Sequence, residues 1–190
     1  SNGKELLIDR DVAAEYGLRA GKELSEEQAE EICGRSDFVR ARERALWYLD
    51  RADRTERGLY KKLLEAGFAE EPSAKAIARL RELGLLDDRR FAENLSERLA
   101  AQNISPREIS RRLYEKGVPR DIIKQVSSEQ QTDECAQIRA LLEKKYRNRL
   151  GDDDAVRKVY AALVRRGFSF GAVRETLRQY SEELENFSEE

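Results

Sequence analysis

This chain of 190 residues has no His and no Met, two Cys, three Pro and one Trp. Each scarcity excludes something. Without His, a Ser-His-Asp or Cys-His nucleophilic arrangement is impossible. Most zinc sites are ruled out as well, since two Cys alone cannot close one. Cys33 and Cys135 are also too few for a disulfide framework, so a reducing cytoplasm is the expected compartment. No run approaches the ~18 apolar residues needed to span a bilayer, and no membrane partner is expected. The opening residues carry no signal-peptide pattern, and Ser1-Asn2 is expected to be an expression remnant. No glycine-rich nucleotide loop is present. Asp87-Asp88 and Asp152-Asp153-Asp154 lack the spacing of a calcium loop, and adjacent acids commonly cap helices. The expectation is therefore a protein that is not an enzyme and holds no metal or cofactor.

What the chain has in abundance is charge, 39% of its residues against about 25% in an ordinary domain. The formal total of −2 hides an uneven distribution. Residues 1–38 hold 5 positive and 10 negative groups, and residues 181–190 hold none and 5. Between them, residues 39–88 are net +1, residues 89–126 are +4 and residues 127–180 are +3. A basic middle between acidic ends suits a polyanionic partner. Charged helix faces that are merely solvated are the plain alternative.

The chain also repeats itself. Three segments align without gaps: Thr55 to Phe68, Ser105 to Val118, and Ala155 to Phe168. Their glycines fall at 67, 117 and 167, a period of 50. Leu59, Ile109 and Val159 match, as do Leu63, Leu113 and Leu163, and so do Arg57, Arg107 and Arg157. The two apolar columns stand four apart and share one helix face. Ser105, Pro106 and Glu108 read as an N-cap, a first helical proline and a capping box. Thr55 can cap the first copy, although Gly58 replaces the box Glu at a cost of ~1 kcal/mol in propensity. Asp153 or Asp154 is the expected cap of the third copy. The glycine allows a left-handed turn, after which an apolar residue packs back.

Flanking helices are expected upstream at 45–50, 91–101 and 136–147, and downstream at 73–83, 120–126 and 171–180. The fold class expected is all-α: three tandem three-helix repeats forming an elongated, curved array, with a short N-terminal extension. The domain limits are an acidic extension 1–38, repeats 39–88, 89–128 and 129–181, and a solvated acidic tail 182–190. In the extension, a short strand around Leu6–Ile8 and a helix from about Glu26, capped by Ser25 and Gln28, are expected.

These residues resemble a known pattern. Tyr48-Leu49-Asp50-Arg51-Ala52-Asp53-Arg54-Thr55, followed by Lys62-Leu63-Leu64-Glu65-Ala66-Gly67-Phe68, is similar to the first repeat of bacterial RecX regulatory proteins. Gly84-Leu85-Leu86-Asp87-Asp88-Arg89-Arg90-Phe91-Ala92 resembles the family's junction between repeats, and Leu163 to Ser169 its third repeat. Tyr16-Gly17-Leu18, with Gly21-Lys22-Glu23-Leu24, looks like the N-terminal extension of some members. The resemblance implies a monomeric, non-enzymatic regulator that binds RecA recombinase filaments on single-stranded DNA. It implies inhibition of the recombinase's ATPase and strand exchange from within the filament groove. Naked single-stranded DNA would be a weaker, non-specific partner. A helical-repeat module acting on nucleic acid alone stands as the alternative.

Candidate partner-binding residues lie on the repeated helices: Arg57, Lys61 and Lys62; Arg107, Arg111, Arg112 and Lys116; Arg157, Arg165 and Arg166. Guanidiniums at a fixed repeat position can track phosphates or carboxylates. Cations near a helix C-terminus are favoured by the dipole, which accounts for Lys116 and Arg166 without a partner. It does not account for Arg57, Arg107 and Arg157, in the first turn, for which a partner contact competes with pairing to nearby acids. Lys144, Lys145, Arg147 and Arg149, around Tyr146, form a second basic run that fits phosphate and a stacked base, or a solvated helix end. Trp47 and Tyr48 are expected in the core.

Overall fold

The computed structural model describes residues 6–130, 132–146 and 153–188. Among them there are ten helices and no strand: α1 (Arg10–Glu15), α2 (Glu26–Arg51), α3 (Glu56–Glu65), α4 (Glu70–Glu82), α5 (Asp88–Ala100), α6 (Pro106–Lys116), α7 (Arg120–Glu129), α8 (Glu134–Lys145), α9 (Asp153–Arg165) and α10 (Phe170–Ser188). The strand expected at Leu6–Ile8 is irregular chain instead. A strand needs a ladder partner for its backbone groups, and here Asp9 N–H donates to Ser36 Oγ at 2.7 Å while the chain enters α1. The helices divide between two units, Ser1–Asp88 and Arg89–Glu190.

In the first unit, α2 is one helix of 26 residues that passes through position 38 without a break. Its start is a capping box, with Ser25 Oγ accepting from Gln28 N–H and Gln28 Oε1 accepting from Ser25 N–H. Two stretches of α2 are buried for different reasons. Ile32 and Val39 pack on Val12 of α1. Ala41 and Ala45, fully buried and small enough for close approach, join Leu59 and Leu63 of α3 and Ala76, Ile77 and Leu80 of α4. Truncating one of those leucines to Ala costs about 2–5 kcal/mol.

The start of α3 is held from two directions. Thr55 Oγ1 accepts from Gly58 N–H at 3.0 Å, and the Asp88 carboxylate accepts from Glu56 N–H at 2.8 Å. Asp88 thus adds an acceptor at a helix end where Gly58 leaves the capping box incomplete. Burial drives its pKa up, against the pull of that hydrogen bond.

In the second unit, α5, α6 and α7 close over Leu95, Leu99, Ile109, Leu113 and Val126. Helices α8, α9 and α10 close over Ile138, Leu142, Val159, Leu163 and Val173. The repeated glycines end their helices as expected, with φ of 89°, 93° and 90° at 67, 117 and 167. The N–H of the next residue reaches back to the carbonyl of Leu63, Leu113 or Leu163. Phe68 is half-buried, and Val118 and Phe168 are buried.

Three expectations change here. Ser105 caps α6, accepting from Glu108 N–H at 3.3 Å, but the Glu108 carboxylate, expected to reach back, is held by Arg111 and Arg112 instead. Helix α9 runs from Asp153, and Asp154, inside its first turn, pairs with Lys158 at 2.6 Å instead of standing before the helix as its cap. The tail expected from 182 is still α10, which runs to Ser188. Glu182 pairs with Arg178, one turn back, and Glu183 with Arg139 of α8, which carries the helix onward.

Candidate functional site

The repeat places three arginines alike. Arg57, Arg107 and Arg157 are exposed in the first turns of α3, α6 and α9. Among the described residues none of the three makes an ion pair or side-chain hydrogen bond. The competing expectation, pairing with nearby acids, is therefore not met. A cation at this position works against the helix dipole, so no intrahelical interaction holds it there.

Lys61, Lys62, Arg111 and Arg112, by contrast, are committed to acids of their own helix. Arg111 grips Glu108 through Nε and Nη2, both at 2.7 Å, and Glu115 through Nη1. Arg112 Nε donates to Glu108 at 2.8 Å. Hydrogen bonds from Arg111 and Arg112 pull the Glu108 pKa down to about 2, and the Arg111 pKa rises in turn through Glu108. Lys62 sits 2.6 Å from Glu65, and Lys61 lies 3.8 Å from the same residue. Lys116 is exposed in the last turn of α6.

The second basic run divides. Lys144 and Lys145 are exposed at the end of α8. Tyr146 packs on the α8–α10 core, with the Arg166 guanidinium 5.9 Å from its ring centre. Arg147 and Arg149 lie outside the described residues. Trp47 is not in the core: it is 44% exposed. Arg51, one turn on, lies 3.4 Å from its ring centre, and Arg44, one turn back, lies 5.4 Å away. These guanidiniums at i+4 and i−3 cover the ring in place of other apolar side chains, whereas Tyr48 does pack on the α2–α4 core.

The fold brings Arg112, Lys145, Arg165 and Arg166 to one cleft, of about 290 Å³, where α6 of one repeat meets α8 and the α9–α10 turn of the next. Two hydrogen bonds fix its walls. Ser105 Oγ donates to the Arg166 carbonyl at 2.6 Å, and Gln137 Nε2 donates to the Ala100 carbonyl at 3.1 Å. Ile104, Leu141 and Phe168 supply apolar lining. Residues 102–104, which contribute to the rim, carry no charge and no repeat signature, so sequence reasoning had nothing to find them by. The one oddity there is Asn103, the only non-glycine residue at positive φ (57°) among the described residues.

Elsewhere the described residues hold no group of acids or cysteines able to bind a metal ion, and no helix long and apolar enough to cross a membrane. Cys33 and Cys135 are free, half-buried thiols.

Together these features define a tandem array of three-helix units with recurring basic positions. Three family patterns match it in order: RecX, first three-helix domain, over residues 41–80; RecX, second three-helix domain, over 87–126; and RecX, third three-helix domain, over 132–177. The chain belongs to the RecX family. It is 38% identical over 123 residues to Regulatory protein RecX of Chlorobaculum tepidum, covering 63% of this chain and 75% of the relative. It is 32% identical over 146 residues to that of Chlorobium phaeobacteroides, covering 76% and 95%. Against the protein of Clostridium tetani the identity is 26% over 181 residues, covering 94% and 83%. A crystal structure of regulatory protein RecX superposes with a TM-score of 0.75 at 26% identity, covering 90% of this chain and 86% of that one. The structure of RecX from Lactobacillus salivarius, at 22% identity and a TM-score of 0.69 over 75% of this chain and 96% of that one, speaks for the fold.

Proposed function

We propose that this protein binds the nucleoprotein filament of the RecA recombinase and restrains its ATPase and strand exchange. It does so in the cytoplasm, as a monomer, without catalysis of its own and without cofactor or metal. Membership of a family whose relatives are named regulatory proteins supports the general role. The observation that carries the specific reading is the trio Arg57, Arg107 and Arg157: one cation per repeat, in the same first-turn position, with no acid paired to it among the described residues. A periodic set of free guanidiniums suits a periodic anionic partner better than an isolated ligand. Naked single-stranded DNA meets the same cations without the recombinase surface, so its binding is weaker and salt-sensitive.

The test is to add the purified protein to RecA assembled on single-stranded DNA and follow ATP hydrolysis. A fall in rate at protein below the recombinase concentration is expected. An unchanged rate at excess protein overturns the proposal. Equal affinity for filament and naked DNA would replace it with the reading of a nucleic-acid module.

A further inference from the structure

The cleft between the second and third repeats gathers cations in one place. The described residues form many ion pairs, most of them one helical turn apart, while other exposed cations stand without one. In the cleft several of the latter come together. Lys145, Arg165 and Arg166 have no ion pair among the described residues. The single acid among the described residues of the lining, Glu108, is already engaged by Arg111 and Arg112. Three unpaired cations therefore lie beside Arg112, whose own partner Glu108 is shared with Arg111. Like charges gathered without counter-charge repel one another, and an anion seated among them removes that repulsion.

The cleft is also shaped in advance. Its cations come from three helices, α6, α8 and α9, and from the turn after α9. They are kept together by the Ser105–Arg166 and Gln137–Ala100 hydrogen bonds across the repeat junction. Ser105 is 1% exposed and Gln137 8% exposed, so water competes little for either bond. Leu141 and Phe168, both buried, make a firm floor beneath the charged rim. A site held this way loses little entropy when it is filled.

We infer that this cleft is a phosphate-ester site that takes one nucleotide unit, its phosphate on Arg112, Lys145, Arg165 and Arg166 and its sugar against the apolar floor. The cleft offers about 290 Å³ lined by both cations and apolar side chains, so its occupant has an anionic and an apolar part. A phosphate monoester offers three acceptor oxygens and close to two charges on one atom, against two oxygens and one charge for a side-chain carboxylate; a strand phosphodiester is singly charged like the carboxylate but brings a sugar for the apolar floor to meet. Arg forks match phosphate oxygens geometrically, and Lys adds a point charge. Gln102 and Asn103 place amides at the rim, where they can meet the polar edge of the attached group without demanding a particular base. The nucleotide unit can belong to a DNA strand or be free. The DNA case deepens the reading of a filament-binding regulator and rests on it; the free case stands alone.

The experiment measures anisotropy of a fluorescein-labelled oligothymidylate with the full chain across a salt series, with thymidine monophosphate and thymidine as competitors. The double variant Lys145→Gln, Arg165→Gln is compared with the wild type and with Lys158→Gln, an exposed cation outside the cleft. Arg166 is left alone because its carbonyl receives Ser105. Expected is an affinity loss of about tenfold in the double variant, with a salt slope lower by about 0.7 for each phosphate no longer neutralised, and no change in Lys158→Gln. Competition by thymidine monophosphate but not thymidine assigns a free nucleotide; competition by neither, with the affinity loss intact, assigns a phosphate within a strand. The inference is overturned if the double variant binds the oligonucleotide with wild-type affinity and slope and thymidine monophosphate competes no better than thymidine. It is equally overturned if the wild type binds neither. Should the double variant fail to fold, the single Lys145→Gln, at an exposed helix end, carries the same comparison. Failure of the filament reading is seen separately, as wild-type protein that leaves recombinase ATPase unchanged whatever its affinity for the oligonucleotide.

Discussion

The hydroxyl of Ser105 donates to the backbone carbonyl of Arg166 at 2.6 Å, across 61 positions of sequence. The residue that caps the second repeat's middle helix therefore also receives the end of the third repeat's middle helix. This double duty makes the repeated glycine turns unequal.

Gly67 and Gly167 sit at the same place in their repeats, with φ of 89° and 90°. A Cβ at 67 meets nothing within 4 Å, whereas one at 167 lies 2.9 Å from Ser105 Oγ and 3.3 Å from Arg107 Cβ. Gly67→Ala is expected to cost about 1–2 kcal/mol, the strain of the left-handed backbone alone. Gly167→Ala is expected to cost more, because the junction must also shift. Urea unfolding of the two variants checks this, and equal losses would show that the junction yields freely.

Asp88 is buried, and its pKa is raised chiefly by burial. A carboxyl whose folded pKa lies above the unfolded value favours the folded state when protonated. Its contribution is thus most favourable at low pH and weakens as pH rises through the carboxylate range. Asp88→Asn keeps an acceptor for Glu56 N–H without the buried charge and is expected to match or exceed wild-type stability at pH 7. Asp88→Ala removes the acceptor and is expected to cost about 1 kcal/mol or more. Thermal melts of the three proteins across pH separate these outcomes.

Glu108 shows the opposite sign. Held at about 2 by Arg111 and Arg112, its carboxylate stabilises the fold at pH values above the ordinary carboxylate range. That contribution is lost as pH falls toward 2. Glu108→Gln is expected to cost about 1 kcal/mol at pH 7, the scale of a largely solvated ion-pair network, and to be indistinguishable from wild type at the acid end. A loss that does not change with pH would assign Glu108 a packing role instead.

The three first-turn arginines separate binding from folding. Replacing Arg57, Arg107 and Arg157 together by Gln is expected to change stability by less than about 0.5 kcal/mol, since no ion pair is broken. Affinity for the recombinase filament is expected to fall more than tenfold, with a shallower salt dependence. Arg111→Gln is the contrasting variant, because it releases Glu115, leaves Glu108 to Arg112 alone and lowers the melting temperature. Unchanged filament affinity in the triple variant would remove the trio from the interface.

The parts of this molecule readable from sequence are those governed by helical period and local backbone chemistry. Leu59, Leu63 and their equivalents occupy the cores they were expected to build, and the turn glycines adopt the left-handed conformation. Where two local interactions competed, sequence alone did not decide. Trp47 is as apolar as a core residue, yet Arg44 and Arg51 on the same face cover it at the surface. Helix α2 has no single apolar stripe, because Ile32 and Val39 face one neighbour and Ala41 and Ala45 another. Arg112, Lys145, Arg165 and Arg166 were each legible as cations, but the cleft they share joins residues more than fifty positions apart. The α10 extension depends on Arg139, an ion-pair partner on another helix.

The unbroken course of α2 couples two packing faces in phase. A helix turns by about 100° per residue, so one residue inserted between Val39 and Ala41 would leave every local contact intact on either side of it. It would nevertheless turn the α1 contact out of alignment with the first repeat. The N-terminal element is thus geared to the repeat: its bearing is set by residue count along a rigid shaft, and a deletion or insertion there acts as a rotation.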